Sequence, residues 1–196
     1  MAIKKATHKK TLYGFVRSAA VFKVVLDVVQ ANVAIDTGIA RAKLYKPQFD
    51  GVTAKKNWDQ ERHGGTFAEF ATKQIDAVGA ETAAAEYLGI TDYEPQNGTF
   101  KDKADIADNV EVKHTYRRNG NLIISSIDRD SDIAILVIGR MPVYVVMGWY
   151  PVKEAKKESY RSELIKGDSY LVPRVDLHPM HHLALIGDRV YGYHTV

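Results

Sequence analysis

Ala104-Asp105-Ile106-Ala107-Asp108-Asn109-Val110-Glu111-Val112-Lys113 is the stretch whose reading decides the fold. Read as an extended strand from Asn109, it alternates faces: Val110 and Val112 point to one side, Glu111 and Lys113 to the other. The valines can enter a core while the charged pair stands together on the opposite face of a sheet. If Ala107-Asp108-Asn109 closes a hairpin, Ile106 falls opposite Val110 and Asp105 opposite Glu111. Directly opposed residues have Cβ atoms about 5 Å apart. Two carboxylates that close repel each other, and a divalent cation between them removes the conflict. Hard oxygen ligands on a half-open site suit Mg²⁺ or Mn²⁺. Asp108 is the alternative first carboxylate, but Asp-Asn is ordinary turn chemistry, and Asp105 is preferred.

Working outward, strands dominate on the C-terminal side. Arg118-Asn119-Gly120-Asn121 contains Asn-Gly, a strong hairpin signal, and predicts that the strand 110–116 folds back on 122–127. Asp128-Arg129-Asp130-Ser131-Asp132 reads as a polar turn. Residues 133–138 are a continuous apolar run, the pattern of a strand buried on both faces. Residues 139–142 turn the chain into a further strand, 143–149, and Pro151 then opens a short helix. A last short strand and an irregular tail follow Gly167.

On the N-terminal side, Thr66-Phe67-Ala68-Glu69 is a capping box that starts a helix. Phe67, Phe70, Ala71, Ile75 and Val78 supply its apolar stripe. Gly79 interrupts it, and a second piece runs over 80–88 until Gly89 ends it. Residues 46–65, with Pro47, Gly51, Gly64 and Gly65, read as a connection. Leu12, Phe15, Ala19, Phe22, Leu26, Val29 and Val33 recur at helical spacing although the valines favour strand; helix is the reading adopted for 11–45. The expected organisation is an appendage with linker over 1–65 and a main α/β domain over 66–196. Consecutive strands without intervening helices exclude a doubly wound parallel sheet and predict an α/β sandwich with a mixed, largely antiparallel central sheet.

This constellation resembles the PD-(D/E)XK nuclease superfamily, which places an acidic residue on one strand, Glu-x-Lys on the next, and often another Glu on a preceding helix. Ala104 to Lys113 fits that core, and Gly79-Ala80-Glu81-Thr82-Ala83-Ala84-Ala85-Glu86-Tyr87-Leu88-Gly89 resembles the helix, with Glu81 in the inward position. The run 133–149, ending in Gly148-Trp149 before a Pro, is similar to small phage and prokaryotic members. Ala104 stands where the motif's name has Pro. The resemblance covers residues 66–157 and implies a restriction-endonuclease-like fold and a DNA nuclease. It implies Asp105, Glu111 and the Val112 carbonyl as metal ligands, Lys113 orienting or activating the attacking water, and Glu81 completing the site directly or through water. The alternative implied is a nuclease-fold protein without catalysis that binds nucleic acid or serves in assembly. Glu-Val-Lys on a strand, taken alone, is more often surface charge pairing.

The remaining features set bounds. The chain has 196 residues, 45% hydrophobic and 26% charged, which are ordinary proportions for a globular protein. With no cysteine, disulfides, thiolate metal sites and cysteine nucleophiles are excluded, and an intracellular, cytoplasmic setting is expected, in keeping with a phage-encoded protein in a bacterial host. No apolar run reaches the roughly 18 residues of a membrane span, and the basic start is a poor signal peptide. The net charge of +3 permits nucleic acid without arguing for it. Lys101, Lys103, Arg117 and Arg118 flank the hairpin and are the candidate DNA contacts, with solvation as the plainer account of each. Cutting both strands of a duplex would call for a homodimer, with 11–45 as the interface. Asp128, Asp130 and Asp132 lack the Gly and the closing Glu of a calcium loop. His178, His181 and His182 lie in a Pro-containing loop and read as surface; His114 alternates away from Lys113 and reads as structural.

Overall fold

The computed structural model describes residues 22–44, 66–98, 102–163 and 168–193. In chain order these form β1 (Phe22–Val25), α1 (Val28–Leu44), α2 (Phe67–Tyr87), β2 (Val110–Thr115), β3 (Leu122–Ser125), β4 (Ile133–Arg140), β5 (Val143–Pro151), α3 (Val152–Ala155), β6 (Ser169–Val172), β7 (Leu183–Ile186) and β8 (Arg189–Gly192).

The apolar run of β4 organises everything else. Its residues alternate between two cores. Ile133, Ile135 and Val137 pack against Ala80, Ala83 and Ala84 of α2. Ala134, Leu136 and Ile138 pack against Leu122 and Ile124 of β3, Val172 of β6, and Val152 and Ala155 of α3. Each fully buried Val, Leu or Ile stabilises by about 1.5–3 kcal/mol, so a strand with six consecutive buried residues takes the centre of the sheet. The result is a four-stranded mixed sheet in the order β1-β5-β4-β2. β5 pairs antiparallel with β1 and β4, and β2 runs parallel to β4 with Val110 beside Ile133 and Lys113 beside Leu136. Helix α2 covers one face, with α1 packed against α2; the ribbon of β3 and β6, with α3, covers the other.

The Thr66–Glu69 capping box is present, with Glu69 N–H on Thr66 Oγ1 at 3.3 Å and Thr66 N–H on Glu69 Oε2 at 2.7 Å. Gly79 does not break α2. A Cβ there would run into the Tyr144 hydroxyl, so its lack of a side chain serves a close approach of helix and sheet. Gly89, at φ 76°, ends the helix in the left-handed conformation that glycine accepts most readily.

Three expectations give way. Of the segment 11–45 only 22–44 lies among the described residues, and that part is not all helix: Phe22–Val25 is a strand paired with β5, and Val28–Leu44 is helical. Asp27 caps that helix, accepting from Val29 and Gln30 N–H at 2.8 Å each, while Gln30 reaches back to Asp27 N–H at 2.9 Å. Asp27-x-x-Gln30 is itself a capping-box pattern that marks this start. Residues 22–44 are thus no appendage: β1 completes one edge of the sheet, and Val24 is fully buried in its core. Second, Asn119-Gly120 makes its turn, Gly120 N–H reaching Arg117 O at 2.9 Å, but β2 and β3 do not pair. β4 outcompetes β3 for the side of β2 because it can be buried on both faces, and β3 crosses to pair with β6. Third, the tail beyond β6 is not irregular. It contains the hairpin β7–β8, which Asn109 fastens to the β2 entry through Asn109 Nδ2 on Val190 O and Val190 N–H on Asn109 Oδ1, both 2.9 Å.

Candidate functional site

β2 is the edge strand opposite β1, and its alternation falls as its sequence dictates. Val110 and Val112 face the helices; Glu111 and Lys113 face the β3 side. Lys113 Nζ lies 2.7 Å from Glu111 Oε1 and 2.7 Å from Asp128 Oδ2. His114 points the other way, with Nε2 at 2.9 Å from Gly139 O and its ring edge-on to Tyr144, a structural position.

Asp105 arrives through the expected turn. Ile106 bridges Val110 antiparallel, Asp105 N–H reaches Val110 O at 3.0 Å, and Ala107 closes the turn at φ 51°. Beyond that bridge the ladder is not continued, so Asp105 does not simply face Glu111 across a hairpin. Its carboxylate turns onto the strand edge, where Oδ2 accepts Val112 N–H at 2.8 Å. The N–H and C=O of one strand residue point to the same edge, so the Val112 carbonyl is directed to the Asp105 side as well. Asp108 sits exposed in the turn, as ordinary turn chemistry requires.

Glu81 comes from the other face, on α2. Arg41 of α1 grips it with both arms, Nη1 to Oε1 at 2.7 Å and Nη2 to Oε2 at 2.8 Å, and both side chains are buried. Tyr93 donates its hydroxyl to Glu81 Oε2 at 3.0 Å and lies 3.4 Å from the Asp105 carbonyl, while Arg41 Nε reaches Gln96 O at 2.7 Å. The candidate residues therefore do not share one side of a hairpin. They wrap the open edge of β2, with Glu81 on the helix side, Asp105 on the rim, and Glu111 and Lys113 on the far side.

Burial, then the negative charges of Glu81 and Glu111, push the Asp105 carboxyl up to about 8, against the opposing pull of the Val112 N–H and Lys113. Burial disfavours the Lys113 ammonium, but Glu111 and Asp128 outweigh it and hold its pKa above the usual lysine value. Lys113 is thus a fixed positive charge, not a proton acceptor. Burial and Glu81 raise the Tyr93 phenol, so it stays a donor.

Among the described residues, four carboxyl groups (Glu81, Asp105, Glu111, Asp128) face two cations, Arg41 and Lys113. Arg129 also feels Glu111, but it is bound to Asp132 at 2.8 Å. The surplus is two negative charges, and protonation of Asp105 relieves part of it. The donors left to a divalent ion at the edge, the Asp105 and Glu111 carboxylates and the Val112 carbonyl, are all hard oxygens and fit Mg²⁺ or Mn²⁺. Both Glu81 oxygens accept from Arg41, and Oε2 also from Tyr93, which leaves Glu81 little capacity for direct ligation. Among the described residues no group of three His, Asp or Glu side chains is already arranged as a metal cage.

Asp128 is the residue that sequence reasoning missed. It lies in the polar turn between β3 and β4, and no periodicity connects it with Lys113. The other carboxylates of that turn are also spoken for: Asp130 by Lys156 at 2.6 Å and Asp132 by Arg129. His178 stacks on Tyr150, and His181 meets His182 edge-on. Of the candidate nucleic-acid contacts, Lys101 lies outside the described residues; Lys103, Arg117 and Arg118 are exposed. Arg117 and Arg118 follow β2 directly, beside an exposed Tyr116 whose ring lies 4.7 Å beneath the Arg140 guanidinium. No helix among the described residues is long and apolar enough to cross a membrane. No protein-family model, curated protein or solved structure matches this chain.

Proposed function

We propose that this protein is a Mg²⁺- or Mn²⁺-dependent nuclease that hydrolyses DNA phosphodiester bonds on a restriction-endonuclease-like sandwich, as its resemblance to the PD-(D/E)XK superfamily implies. One observation carries the reading: Asp105, Glu111 and Lys113 gather around one edge of β2, close enough that Glu111 raises the Asp105 carboxyl and Lys113 opposes the rise. Asp105, Glu111 and the Val112 carbonyl would hold the ion. A bound divalent ion acidifies water and neutralises charge developing on the phosphoryl group. The chain's own residues do the rest. Lys113, permanently protonated, stabilises the same developing charge and orients the incoming water. Tyr93 links Glu81 to the Asp105 backbone and so fixes the ligand loop against α2. Exposed Arg117 and Arg118, at the end of the same strand, contact the phosphate backbone and position the duplex. Hydrolysis leaves a 5′-phosphate, in an intracellular setting; a homodimer would serve two-strand cutting.

The lock of Arg41 on Glu81 favours a second reading, a nuclease-fold protein that binds nucleic acid or serves in assembly without cutting it. Linear, circular and branched DNA, each with Mg²⁺ and Mn²⁺, separates the two. Nuclease action requires cleavage of at least one form, abolished in both Asp105→Ala and Lys113→Ala while their folds persist. Binding without cleavage by the wild-type chain leaves the second reading.

A further inference from the structure

Asp128 closes a turn with Ser125, its N–H on Ser125 O at 3.1 Å, but its burial and its pairing with Lys113 go beyond turn chemistry. Its side chain is 2% exposed, and Oδ2 takes both the Lys113 ammonium at 2.7 Å and Ser125 N–H at 2.8 Å. Burying a carboxylate costs several kcal/mol unless it is paired and hydrogen-bonded, and this one is both. The segment carrying it is stitched down separately: Lys156 Nζ donates to Ser126 O at 2.9 Å, Asp128 O at 2.5 Å and Asp130 Oδ1 at 2.6 Å. Asp128 is therefore a rigid anchor, held by the turn between β3 and β4 and not by β2, which carries the Glu111 that shares Lys113 with it.

The sharing has a consequence. A divalent ion bound by Glu111 draws that carboxylate's charge away from the ammonium. Lysine is a flexible stem with a mobile head, and with Glu111 alone as anchor it would then swing free. We propose that Asp128 is a positioning residue for Lys113: it keeps the ammonium in place when Glu111 turns to the cation. Lys113 then meets the scissile phosphate from a fixed point. This inference rests on the nuclease reading for its role in cleavage, though not for its geometry.

The test uses the full chain. Asp128→Asn keeps the shape and, through its amide oxygen, the Ser125 bond, but replaces the charged contact with Lys113 by a weaker neutral one. Its Mg²⁺ affinity by calorimetry and its KM for DNA stay near wild type while kcat falls about 10- to 100-fold, the usual cost of losing a supporting partner. Asp128→Glu recovers part of the loss. In ¹⁵N-lysine spectra with Mg²⁺ bound, the Lys113 ammonium signal is protected from exchange in wild type and lost in Asp128→Asn. Wild-type kcat together with a protected Lys113 signal in Asp128→Asn overturns the proposal. If the wild-type chain cuts no DNA, the nuclease reading fails, and the ammonium signal alone decides: retained in Asp128→Asn it overturns the anchoring, lost it upholds it. Should Asp128→Asn not fold, the wild type suffices, because loss of Lys113 protection on adding Mg²⁺ contradicts the anchoring.

Discussion

Arg41 on α1 and Glu81 on α2 form a two-pronged ion pair, 2.7 and 2.8 Å, whose side chains are 4% and 7% exposed. It joins the two helices directly behind the candidate site. Arg41→Ala leaves Glu81 as a buried charge without its partner, and the loss is about 3–5 kcal/mol. Arg41→Lys does not restore it, since an ammonium cannot match the planar fork. Denaturant titration of the three proteins checks this; an Arg41→Lys as stable as wild type would show that the fork geometry is unimportant.

Asp105 makes stability pH-dependent in the cation-free protein. Its carboxyl titrates near 8 when folded and near the ordinary ~3.9 when unfolded, so the folded state holds the proton more tightly. Its contribution is therefore complete below pH ~4 and is lost as pH rises toward ~8. Asp105→Asn cannot ionise, so its melting temperature overtakes that of wild type across this window. Mg²⁺ displaces the proton, and it raises the wild-type melting temperature more at pH 8 than at pH 6 while leaving Asp105→Asn unmoved. Parallel melting curves for the two proteins from pH 5 to 8 would contradict the assignment.

Arg117 and Arg118 are exposed just beyond β2. If both contact phosphates, Arg117→Ala/Arg118→Ala weakens DNA binding uniformly across sequences and lowers the log–log salt slope by about 2. Fluorescence anisotropy between low and moderate salt measures the slope. An unchanged slope places the DNA elsewhere.

Tyr144 is fully buried, and its hydroxyl has no hydrogen-bond partner among the described residues. A buried unsatisfied hydroxyl costs about 1–3 kcal/mol, so Tyr144→Phe is neutral or stabilising. Gly79→Ala forces a methyl against that same ring and costs about 1–3 kcal/mol from overpacking. Thermal unfolding reads both. A strongly destabilised Tyr144→Phe would mean that the hydroxyl is satisfied in solution.

Local rules made some of this molecule legible in its sequence. The alternation of Val110, Glu111, Val112 and Lys113 set their faces, the Thr66–Glu69 box set the start of α2, and the apolar run set β4 at the centre. These follow from periodicity, capping and burial, which act over a few residues. The same alternation placed Glu111 beside Lys113, as found.

Only the tertiary structure decided which strand lies beside which. Asn119-Gly120 makes its turn, yet β2 takes β4 as neighbour, because burying both faces of β4 outweighs a short hairpin between β2 and β3. That choice carries β3 across the sheet and brings Asp128 onto Lys113, and it leaves β2 with the open edge that receives the Asp105 carboxylate. Likewise, nothing near Glu81 in sequence points to Arg41, 40 residues earlier. Ion pairs between distant segments form where packing has already brought the helices together, and the electrostatics of the site are a product of that packing.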